Sequence, residues 1–185
     1  MAARTAMQCY KEFPRSIGLL TTLASVVYAM AGLALMLSLS RWVALGFLLL
    51  YVWVHYVHYP RNACVNCAYY GCYCISLKGR LVARMYKRGS EAAFYRGMKR
   101  AMRGVHVLWA YPFLALVVAQ IAGRPIYLTD LLLAAVLIVL MVMRQLMRRS
   151  LGCRVCLMRD KCPNVGPDRR RGVEVVNQTP VPPSR

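Results

Sequence analysis

Apolar residues fall into four long runs, Ile17 to Leu39, Val43 to Tyr59, Val105 to Ala122 and Ile126 to Met143, with the polar residues collected between and outside them. Each run is close to the ~20 residues that a helix needs to cross ~30 Å of hydrocarbon. The pattern predicts an all-α integral membrane protein with four transmembrane helices. Only Ser40, Arg41 and Trp42 separate the first two runs, and only Gly123, Arg124 and Pro125 the last two, so the helices are expected as two tight antiparallel hairpins. The first run exceeds the roughly 7 to 15 apolar residues of a signal-peptide core and passes straight into a second span, so it is not expected to be cleaved.

Between the hairpins the period changes. Leu77, Leu81, Val82, Met85 and Tyr86 recur at helical spacing among Lys78, Arg80, Arg84, Lys87 and Arg88, which predicts a short amphipathic helix at the headgroup level, stopped by Gly89. Ser90, followed by Glu91, is a candidate N-cap for a second basic helix. Its Phe94, Met98, Ala101 and Met102 face inward and its cations face anionic lipid, and it runs on into the third span. Inside the spans, Thr21, Ser25, Ala29 and Gly32 form a small-residue stripe suited to close helix approach. Asp130 is placed to pair with Arg124.

Composition and charge fix the class and suggest the topology. The chain has 185 residues, 59% of them hydrophobic, with 25 Lys and Arg against 6 Asp and Glu. A soluble domain, a disordered chain and a secreted disulfide scaffold are all excluded. Arg41 and Arg124 are the only cations in the two short turns, so the positive-inside rule places both termini and the central loop in the cytoplasm, with the protein in the cell membrane. The basic character is thereby a topology signal. Without an accompanying nucleic-acid-binding motif, nucleic acid is not an expected partner.

The chain divides accordingly into a cytoplasmic amino-terminal segment (1–16), a first transmembrane hairpin (17–59), a cytoplasmic Cys-rich loop with basic amphipathic helices (60–104), a second hairpin (105–147), a second cytoplasmic cysteine cluster (148–162) and a disordered basic tail (163–185). Each hairpin is followed at nearly the same distance by a C-x2-C pair, Cys64 and Cys67 in the first half and Cys153 and Cys156 in the second. This predicts a parallel pseudo-repeat about an axis along the membrane normal.

All eight cysteines, Cys9, Cys64, Cys67, Cys72, Cys74, Cys153, Cys156 and Cys162, fall outside the apolar runs and on the side assigned to the cytoplasm. Cytoplasmic thiols are kept reduced, so close pairs there point to metal before disulfides. Cys64, Cys67, Cys72 and Cys74 could complete one tetrahedral zinc site, and Cys153, Cys156 and Cys162 a second with Cys9. Alternatively, the two C-x2-C pairs could share one site across the repeat. The run Cys153-x2-Cys156-x5-Cys162-Pro163 resembles the closing part of iron–sulfur motifs, including the C-x6-C-x2-C-x5-C arrangement of certain DNA glycosylases and the Cys-Pro ending of bacterial ferredoxins. It departs from the glycosylase pattern at Leu146, where that pattern has Cys. The resemblance implies an iron–sulfur cluster as the alternative to zinc.

His55 and His58 share a face of the second span with Tyr51 and Tyr59, and His106 begins the third at a similar depth. Three imidazoles could bind haem or border a quinone, or they could simply complete an aromatic belt. No hydrolase or nucleotide-binding motif is present. The leading expectation is a membrane platform or subunit for a soluble cytoplasmic protein, organised by cysteine-coordinated metal. The rivals are an electron-transfer subunit with iron–sulfur clusters and a metal-handling or thiol-redox protein.

Overall fold

A computed structural model describes residues 15–153, 156–159 and 161–163. Cys9 and the tail expected beyond residue 163 lie outside the described residues. Among those described, all regular structure is helical. The helices are α1 (Arg15–Leu39), α2 (Arg41–Val52), α3 (Tyr59–Asn62), α4 (Gly79–Met85), α5 (Phe94–Ile121) and α6 (Leu128–Met147). One π turn, Trp53–His58, joins α2 to α3, and another, Arg148–Gly152, extends α6. Four continuous helical stretches, Arg15–Leu39, Arg41–Asn66, Glu91–Ile121 and Leu128–Ser150, are long and apolar enough to cross a membrane.

The helix ends follow from local chemistry. Ser40 is extended, and its hydroxyl accepts the Trp42 N–H, so the chain stops α1 and caps α2 within one residue. Ser90 does the same ahead of α5 by accepting the Ala92 N–H, as its position in the sequence predicts. The inward positions expected for that helix, Phe94, Met98, Ala101 and Met102, are all buried. Gly123 turns the chain after α5 with φ +80°, a conformation that glycine takes without a Cβ clash. The π turn in the second span has a cause in Pro60, which has no N–H to offer the Tyr56 carbonyl one turn earlier. The Tyr86 hydroxyl donates to that carbonyl instead, at 3.0 Å.

The bundle is organised around α1, which packs against α2, α5 and α6. Gly32 on α1 seats the Phe47 ring, whose Cζ would lie 2.7 Å from an added Cβ, so the small-residue stripe does set a close approach. Tyr28, Leu35, Met36, Leu108 and Leu137 complete a buried centre. Leu19, Met30, Leu49, Leu114, Ile121 and Leu131 point outward, an apolar exterior that matches hydrocarbon.

The two halves are not packed alike. Whereas α1 and α2 pack closely, α6 lies mainly on α1, and α5 and α6 make little direct contact. The second tight hairpin and the parallel repeat therefore have no counterpart in the helix pairing. A polar lock explains the placement of α6. Asp130, 1% exposed, accepts from the Ser38 hydroxyl of α1 at 2.8 Å and from the Tyr127 N–H at 3.3 Å, and it pairs with Arg124 at 3.5 Å. Arg124 in turn donates to the Ser38 carbonyl at 2.8 Å. The predicted Arg124–Asp130 pair is thus a tie between the first and fourth spans. Asp130→Ala should cost about 1–3 kcal/mol, because it takes the carboxylate from a half-buried guanidinium, which keeps only its bond to the Ser38 carbonyl, and removes the side-chain bond between α1 and α6. Denaturant titration in detergent micelles would read this loss, and an unchanged midpoint would show the lock to be idle.

Candidate functional site

The cysteine loops are built by turns that aim sulfur inward. After α3, Cys64 opens a single 3₁₀ turn, and Cys67 breaks it with an extended backbone. The Cys67 carbonyl then accepts the Tyr70 N–H at 3.0 Å, and its sulfur receives a backbone hydrogen bond from Tyr69. The second motif repeats this turn. The Cys156 carbonyl accepts the Arg159 N–H at 3.1 Å, and its sulfur receives a backbone hydrogen bond from Met158. Backbone N–H groups directed at sulfur favour thiolate and tune a metal bound to it. Gly79 lets the first loop fold shut, since a Cβ there would lie 2.1 Å from the Cys72 carbonyl oxygen.

The two loops are joined to each other. The Leu157 N–H donates to the Tyr69 hydroxyl at 3.2 Å, Lys161 reaches Glu91 at 3.7 Å, and Met158 is buried in the core beneath both loops. As a result, the six free thiols among the described residues, Cys64, Cys67, Cys74, Cys153, Cys156 and Cys162, all line one cavity of about 110 Å³. Both C-x2-C pairs contribute to it, and Phe94, Met98 and Met158 supply apolar wall. The sequence left open separate or shared sites; the loops bring the free thiols around a shared space. Cys72 is not among them, being 4% exposed and turned away from the cavity wall.

Burial favours the thiol form at Cys67 and Cys156. It pushes Cys67 up to about 12, with the neighbouring Cys156 and Cys74 adding to the effect, and it pushes Cys156 up to about 11. A cation entering the cavity would have to displace protons from both. Among the described residues, no group of three or more His, Cys, Asp and Glu side chains is gathered tightly enough to hold a single metal ion. The sulfurs ring a space and do not converge on a point.

The three histidines have three different surroundings. His55 is buried, with its ring 4.3 Å from that of Tyr51. His58 sits against α5, its Nε2 3.0 Å from the Arg100 carbonyl and its ring stacked on Trp53 at 4.9 Å. His106 is exposed, with an edge contact to Trp109. The change of register through the π turn, together with the outward placement of His106, leaves the proposed imidazole cluster dispersed.

His55 instead lines a second cavity, of about 140 Å³, between the spans. Lys78, Arg144 and Arg148 also line it, while Tyr59, Ile75, Ser76 and Arg148 border both cavities. Burial lowers the Lys78 ammonium from its ordinary value. Its Nζ stands over the Tyr56 ring at 4.6 Å. Sequence reasoning missed Arg144 as a site residue, although a cation ending an apolar run was a visible signal. No family model, curated protein or solved structure matches the chain.

Proposed function

We propose that this is a multi-pass membrane subunit that carries a cysteine-ligated, polynuclear metal cluster of the iron–sulfur class at its cytoplasmic rim and presents it to a soluble protein partner. The observation that carries the reading is the single cavity lined by all six free thiols and drawn from both C-x2-C motifs. The paired backbone bonds to Cys67 and Cys156 sulfur give the chemistry such ligands need. One zinc ion takes four thiolates at about 2.3 Å, and so demands sulfurs converging on a point. Sulfurs spread around a space suit a cluster with several metal atoms at its surface, which supports iron–sulfur over zinc.

The cytoplasmic assignment rests on the excess of Lys and Arg at the cysteine end. An iron–sulfur cluster there would accept single electrons from a soluble donor and pass them toward the membrane. The second cavity, adjoining the first through Tyr59, Ile75 and Ser76, favours this role. The competing platform reading needs only structural metal.

Anaerobic purification followed by metal and sulfide analysis separates the two. The expected result is coloured protein holding iron and acid-labile sulfide, bleached reversibly by a reductant. Colourless protein with stoichiometric zinc would replace the electron-transfer role with a structural one. Protein that takes up neither metal would overturn the cluster.

A further inference from the structure

Arg144 lies on α6 four residues before Arg148, so both guanidinium forks occupy one helix face, and both line the cavity that Lys78 borders from the loop. All four spans contribute to its wall, with Thr21 and Ser25 from the first, His55 from the second, Val105 from the third and the two arginines from the fourth. Among the described residues no carboxylate lines it. Neither guanidinium makes an ion pair or hydrogen bond with a described residue. The nearby hydroxyls do not compensate, because Thr21 and Ser25, which donate to the Gly18 and Thr21 carbonyls at 3.0 Å and 2.7 Å, are neutral and accept from neither guanidinium.

Three like charges around a small space between membrane helices repel one another at low dielectric, and an ionised side chain at that depth ordinarily has a partner. A bound anion would relieve that repulsion. Two forks and an ammonium suit a tetrahedral oxyanion, since guanidinium binds phosphate through paired N–H donors and Lys adds a point charge. The inner end of a span is also where lipid phosphates lie. We propose that this cavity is a phosphate-binding site, taking either the headgroup phosphate of a phospholipid or free inorganic phosphate. The site does not depend on a cluster filling the thiol cavity.

The test uses the full chain in detergent, in two arms. Native mass spectrometry asks whether a phospholipid is retained, and calorimetric titration of lipid-stripped protein with inorganic phosphate asks whether the free anion binds. The expected result is one saturable phosphate group per chain in one arm or both, which also names its source. Arg144→Gln should abolish binding, and Lys78→Gln should weaken it about tenfold or more. Arg144→Gln should also unfold no earlier than the wild type when lipid and phosphate are both absent, because it removes an uncompensated charge, while losing the stabilisation that the ligand gives. Should Arg144→Gln fail to fold, Lys78→Gln alone decides. Absence of binding in both arms, or wild-type binding by the variants that fold, would overturn the site.

Discussion

Cys67→Ser and Cys156→Ser should each strip nearly all of the bound metal, not half of it. The two residues come from loops in different halves of the chain and belong to motifs that an independent-site arrangement would load separately. They instead line the same cavity, and Cys156 is close enough to Cys67 to push the Cys67 thiol up. A cluster bridging both motifs loses a ligand in either variant, and removing one thiolate also removes the binding free energy that holds the rest in place. Elemental analysis of protein purified under identical conditions reads the result directly. Cys72→Ser supplies the contrast, because Cys72 does not line the cavity, and folded protein carrying it should keep its metal. Retention of about half the metal in each of the first two variants would mean two separate centres and would remove the shared cluster.

What was legible in the sequence was what a single helix or turn decides. The four spans, the Ser90 cap and the inward row Phe94, Met98, Ala101 and Met102 depend on residues a few positions apart, and periodicity reads them directly. The Arg124–Asp130 pair belongs with them, since its partners lie within one turn and its first helical residues. The illegible part depends on which helix lies beside which. Equal spacing from each hairpin to its C-x2-C pair suggested a repeat, yet Asp130 ties α6 to α1 through Ser38, a residue 92 positions away.

The candidate site divides in the same way. Spacing singled out the cysteines as candidates, but not that Cys72 would be excluded from the cavity and Cys74 included. That division follows from how the loop closes over Gly79, a tertiary event. The histidine grouping assumed an uninterrupted helical period. Pro60 frees a carbonyl, the second span widens into a π turn, and the face bearing His55 and His58 is no longer a straight stripe. Arg144 shows the converse. Its charge was counted as part of a basic rim, whereas its consequence lies in having no described anionic partner inside the bundle.

Gly97→Ala should disable both the fold and the thiol cavity, which makes it the sharpest probe of how the two are coupled. Gly97 lies on α5 where α3 crosses it, and an added Cβ would sit 2.0 Å from the Asn62 carbonyl oxygen. That neighbour is backbone, so no rotamer change can yield the space, and the helices must separate. Overpacking of this kind costs about 1–3 kcal/mol, and more when backbone has to move. Asn62 stands two residues before Cys64, and its carbonyl accepts from the Asn66 side chain at 2.9 Å, so displacement of α3 carries the Cys64 to Cys67 turn with it. The expected outcome is a lower unfolding midpoint together with diminished metal content, read by thermal unfolding in detergent and by elemental analysis. Gly46→Ala is the matched comparison. Its Cβ would meet the Tyr111 hydroxyl at 2.7 Å, the far end of a side chain that can rotate away. It should lower the midpoint by less and leave the metal in place. Equal effects from the two substitutions would show that the α3–α5 crossing does not position the cysteines.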